Sequence, residues 1–122
     1  MKQVTFQTDT LHFTTTFNQS KTAQAILRTL PIEAEVNRWG DEIYFEIPVK
    51  LPPENPTLEV KVGDIAYWPE GHCLCIFFGR TPASKGSEPR PASSVSIVGH
   101  TDERPDSLRL IREGSPISVR TE

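Results

Sequence analysis

The chain reads as a mainly β protein, a closed barrel or a sandwich of many short strands with two helices. Three observations point there. Runs of alternating apolar residues recur along most of its 122 residues, the pattern of half-buried strands. Eleven prolines fall between these runs and never in their middles, where a missing N–H would break the ladder. Only two stretches change to helical period. Many short strands in a small chain favour closure, which removes sticky edges. This length supports one core, so residues 1–122 are read as a single domain.

Val4 and Phe6 alternate with polar residues, and Leu11, Phe13 and Phe17 follow suit, with Asp9-Thr10 as a hairpin turn between them. Ala23, Ile26, Leu27 and Leu30 then fall at i, i+3, i+4 and i+7, one stripe of an amphipathic helix. Asn18 or Ser20 suits its N-cap and Pro31 ends it. Ile32, Ala34 and Val36 return to strand period, with Glu33, Glu35, Asn37 and Trp39 on the opposite face. Gly40-Asp41 reads as a two-residue turn with glycine first. The return strand directs Ile43, Phe45 and Ile47 to the core. Glu42, Tyr44 and Glu46 share the outer face with Trp39, and the two glutamates read as a solvated pair.

Leu58, Val60 and Val62 predict another alternating strand. Ile65–Trp68 and Cys73–Phe78 form a central hairpin, and Val95–Val98 a further strand. Pro105–Arg112 is a short helix with Leu108 and Ile111 inward and Gly114 as its stop. Ile117 and Val119 mark the last strand. The total is eight or nine strands.

Formal net charge is −3, and the thirteen Lys and Arg are scattered rather than clustered. That argues against a nucleic-acid partner or an anionic membrane. No apolar run reaches the roughly 18 residues of a bilayer span, and MKQVTFQTDT has no apolar core of a secretory leader. Cys73 and Cys75 lie two apart on one strand, with Cα atoms roughly 6 to 7 Å apart and side chains pointing the same way. A disulfide there is badly strained, so both read as reduced and the protein as cytoplasmic.

The run Cys73–Phe78 is apolar at every position and needs cover on both faces. One face packs in the core; the other lies under the Pro/Ser loop 80–94 or lines a groove. Trp39, Tyr44, Glu46, Tyr67, Trp68, Phe78, Arg80, Thr81, Pro82 and Ser93 are the candidate groove residues. Rings with a few polar groups suit a peptide or small-molecule ligand. His72, Cys73 and Cys75 lack the further ligands zinc requires. Ser93 or Ser94 with His100 and Asp102 lacks a nucleophile elbow. Phosphate-binding glycine loops are missing, and no cofactor or metal is expected.

Two stretches, Asn37-Arg38-Trp39-Gly40-Asp41-Glu42-Ile43-Tyr44-Phe45 and Gly63 to Pro69 continuing to Pro91-Ala92-Ser93-Ser94-Val95, carry the motifs YWPxG, FFGxTP and PAS. In these the chain resembles the small prokaryotic cyclophilin-like domain family of uncharacterised function, over essentially its whole length. The resemblance implies a closed eight-stranded cyclophilin-like barrel with two capping helices. The wider superfamily includes peptidyl-prolyl isomerases, in which an apolar groove holds an X–Pro bond and an arginine bonds near the proline nitrogen. On that match Phe78 is the groove-floor phenylalanine, Phe77 points into the core, and Arg38 stands near the catalytic arginine. Strict alternation puts Arg38 on the inward face with Val36; a bulge would turn it out. IYFEIPV stands where the isomerases carry Gln-Gly-Gly-Asp, and the groove tryptophan and histidine have no counterpart. The expectation is a peptide or small apolar ligand bound in an exterior aromatic groove, with weak peptidyl-prolyl isomerase activity as what the resemblance adds. The alternatives are a non-catalytic protein-interaction module and a small-molecule enzyme. A monomer or small homo-oligomer is expected.

Overall fold

The computed structural model describes residues 2–121. In chain order the elements are β1 (Lys2–Thr8), β2 (His12–Phe17), α1 (Lys21–Leu27), β3 (Ile32–Glu35), β4 (Asn37–Arg38), β5 (Glu42–Glu46), β6 (Asp64–Trp68), β7 (Cys73–Phe77), β8 (Ser96–His100), α2 (Pro105–Leu108) and β9 (Pro116–Thr121). The strands form one antiparallel sheet in the order β3-β9-β1-β2-β8-β6-β7-β5-β4.

Its two outermost strands, β3 and β4, are consecutive halves of one extended segment. They part at Val36, whose N–H donates to the Ser115 carbonyl at 2.9 Å and whose carbonyl accepts from Gly114 at 2.7 Å. β3 pairs with β9 and β4 with β5. The segment therefore joins both edges of the sheet and brings it to a nearly closed barrel. This segment contributes two of the nine strands because it is interrupted where it changes partners, the usual role of an irregularity at a barrel seam.

Alternation sends Val4, Phe6, Phe13 and Phe17 inward, with Phe6 and Phe13 stacked at 5.4 Å. Ile43, Phe45, Ile65, Leu74, Ile76, Val98 and Val119 complete the interior. At one mouth α1 contributes Ala23 and Ile26. Its N-cap is Ser20, whose hydroxyl accepts from the Ala23 N–H at 3.1 Å, while Asn18 accepts from the Ser20 hydroxyl at 2.6 Å. The Glu54 carboxylate accepts from the Thr22 N–H at 2.8 Å and the Thr22 hydroxyl at 2.6 Å. α2 supplies Leu108, and Ile111 just beyond it joins the same interior.

Two expectations need correction. Residues 58–62 form no strand; the segment touches the sheet pattern only at the bridge Thr57↔Val95. β6 and β7 already have neighbours on both edges, so this segment lies across their outer face. It buries Val60 there and leaves Leu58 and Val62 exposed. The faces of Phe77 and Phe78 are also exchanged. Leu74, Ile76 and Phe78 join the barrel interior, while Cys73, Cys75 and Phe77 belong to an outer cluster with Val60, Ala66 and Val95. A period of two permits no other assignment once Leu74 and Ile76 face inward.

Candidate functional site

The outer face of β5, β7 and β6 is a grid of unequal side chains. Register places Tyr44 beside Cys75 and Cys75 beside Ala66, and it sets Glu42 beside Phe77 and Trp68 beside Cys73. Small residues thus occupy the middle of the grid and rings its margins. Tyr44 and Trp68 meet edge to face, with centroids 6.1 Å apart and planes at 83°. Both rings border a recess of about 170 Å³. Trp39, Tyr44 and Trp68 form its walls, Glu42 and Cys75 lie at its base, and Pro91, Ala92 and Val95 close one side.

The loop that follows β7 supplies that last side and is fastened at several points. The Asp41 N–H donates to the Arg80 carbonyl at 2.7 Å. Gly40 holds φ at +61°, and a Cβ there would stand 2.8 Å from the Arg80 oxygen; both facts require glycine at this turn. Thr81 is buried, donates its hydroxyl to the Arg90 carbonyl and accepts at the same oxygen from the Ala83 N–H. The Trp68 indole N–H donates to the Ser93 hydroxyl at 2.6 Å, and Ser93 donates onward to Glu70 at 2.9 Å. Trp68 is therefore held in place as a wall.

Glu42 departs from its expected role. It is not part of a solvated pair: it is 5% exposed, while Glu46 is open to solvent. Its Oε1 is buried without a hydrogen-bond partner. Burial drives its pKa up to about 7, offset only in part by the adjacent Cys75 thiol. No lysine, arginine or histidine lines the recess. Burial also raises the Cys73 thiol to about 11, with Glu46 and Glu42 adding to the effect, and pushes Cys75 well up. Both thiols stay protonated at neutral pH and are unsuited to nucleophilic work.

Trp39, Tyr44 and Trp68 thus meet around one recess. Tyr67 faces the barrel interior, and its hydroxyl donates to the Val49 carbonyl at 2.8 Å. Phe78 is an interior residue, and Arg80 and Pro82 lie exposed on the loop. Arg38 lies on the inward side that strict alternation assigns, at the end of the barrel. Its guanidinium sits 5.3 Å above the Phe78 ring and donates to the carbonyls of Gly40, Arg109 and Ile111, plugging the end of the barrel beside α2. Ser93 is engaged with Trp68 and Glu70, away from His100, which lies between Asp64 at 3.4 Å and Asp102 at 3.3 Å. Among the described residues no group of three His, Cys, Asp or Glu is placed to hold a metal ion, and no helix is long and apolar enough to cross a membrane.

Glu42, Cys75, Pro91, Ala92 and Val95 line the recess without having been among the candidate groove residues, and the first two sit on its sheet floor. The available signal was positional: Glu42 shares a face with Tyr44, and Cys75 is the small residue directly across from that ring.

A family model described as Cyclophilin-like matches residues 2–120. The solution structure of a hypothetical protein from Archaeoglobus fulgidus is similar, at 33% identity and a TM-score of 0.85, covering 99% of this chain and 95% of that one. No curated protein matches the chain. With the match spanning nearly every residue, the chain belongs to the cyclophilin-like family.

Proposed function

We propose that this protein is a ligand-binding barrel that takes a small molecule, or one side chain of a peptide, between Trp39, Tyr44 and Trp68. The observation that carries this reading is the convergence of three rings on one recess of about 170 Å³, lined otherwise by Cys75, Pro91, Ala92 and Val95 with the single carboxyl of Glu42. An apolar hollow with one placed polar group suits a small ligand, and Trp68 is fastened in position by Ser93.

Prolyl isomerisation is outside this reading. The donors of Arg38 are engaged by backbone carbonyls, and Phe78 lies in the interior, so neither is free to hold an X–Pro bond. The test is a screen of small apolar and aromatic fragments followed through the indole N–H signals of Trp39 and Trp68. Binding is expected to shift both indoles and to disappear in Cys75→Phe, which fills the hollow. A wild-type protein whose indole signals respond to no fragment defeats the proposal. A proline-isomerisation assay is expected to show no rate above background.

A further inference from the structure

A ligand of this recess must also answer for Glu42. A carboxylate without a cation or a full set of donors is costly to bury, yet Glu42 is 5% exposed with Oε1 unpartnered. The recess above it has rings on its open sides and no basic residue. Two independent features of the same hollow therefore favour one charge type. Aromatic faces attract cations through the ring quadrupole, and aromatic cages recognise quaternary ammonium groups. The buried carboxylate supplies a formal counter-charge, and its own burial strengthens such an attraction relative to bulk water.

We propose that the recess holds a methylated ammonium head, caged by Trp39, Tyr44 and Trp68 and faced by the Glu42 carboxylate. This rests on the ligand-binding reading above and names its ligand class. The perpendicular arrangement of Tyr44 and Trp68 at 83° presents rings from two directions, as a compact head with methyl groups on several sides requires. Cys75 and Ala92 leave room without competing for the charge. The same head is carried by free methylated amines and by methylated lysine on a peptide, and the structure presents the same chemistry to both.

The experiment titrates the full chain at pH 8 with choline, with a peptide bearing trimethyl-lysine, and with 3,3-dimethylbutan-1-ol, the uncharged isostere of choline. The readouts are calorimetry and the ring-current shift of the ligand methyl protons. At least one cation is expected to bind about tenfold or more tightly than the isostere, the order one shielded charge pair supplies. Glu42→Gln, which keeps shape and removes charge, is expected to erase that preference, bringing the cations down to the affinity of the isostere in the same variant. Trp68→Leu is expected to weaken all three. Choline binding assigns a free amine as sufficient; binding by the peptide alone assigns a protein-borne lysine. An isostere that binds as well as both cations overturns the charge inference and leaves the ligand-binding reading standing. Failure of all three, with the indole signals also silent to apolar fragments, removes both. A preference for cations that survives Glu42→Gln overturns the role of the carboxylate.

Discussion

Glu42 shows how much one side chain's setting can differ from its composition. Its raised pKa makes the folded state hold a proton that the unfolded chain releases near 4.5. The stabilising contribution is complete below that value and is lost as pH rises to about 7; above it the loss is constant. The groups near it are the Cys75 and Cys73 thiols of β7 and Tyr44 on its own strand, all with pKa values pushed upward, so Glu42 alone among them titrates in this window. Glu42→Gln is expected to match the wild type in urea denaturation at pH 4 and to exceed it at pH 8 by an amount on the order of 3 kcal/mol. A difference that does not change with pH would contradict the burial argument. The residue pattern put Glu42 on the outer face beside Tyr44, and it is there. That the loop after β7 lies over this part of the face involves residues some fifty positions away, and no local pattern contains it.

Among the elements, α1 was the easiest to read, because its determinants are local. Apolar spacing, a Ser-capped start and a following proline all lie within a dozen residues. Ser20→Ala is expected to cost about 1 kcal/mol, checked by thermal unfolding. Glu54 adds a distant second cap whose pKa is lowered by the Thr22 hydroxyl and N–H. Its stabilising effect is present above 4.5 and is lost as pH falls through its lower folded value. The 58–62 segment was misread for the opposite reason. Its alternation is real, since Val60 is buried while Leu58 and Val62 are exposed. But alternation reports only that one side is covered; a strand also needs a free edge, and β6 and β7 have none. Phe77 and Phe78 illustrate the same gap: an all-apolar run has no phase of its own, so its inward face is set by neighbouring strands.

The molecule as a whole consists of two apolar layers on one sheet. The interior is closed by the β3–β4 segment and the two helices, and the outer cluster lies under loops alone. The layers are expected to open separately. Phe78→Ala should destabilise the entire barrel by about 3 to 5 kcal/mol. Phe77→Ala should speed amide exchange at Thr57 and Val95, which bridge the loops, before it affects β1 and β2. Equal exchange changes in both places would show that the layers behave as one cooperative unit.

Local chemistry was enough to specify most of the strands, the capped helix and a barrel-like closure, because side-chain period and proline placement act over a few residues. The three recess rings were also legible as sharing an outer face. Which phenylalanine faces inward, the seam at Val36, the burial of Glu42 and the hollow above Cys75 arose only when distant segments packed together. Those features depend on register and on which edges remain free, and both are properties of the assembled sheet rather than of any one stretch of chain.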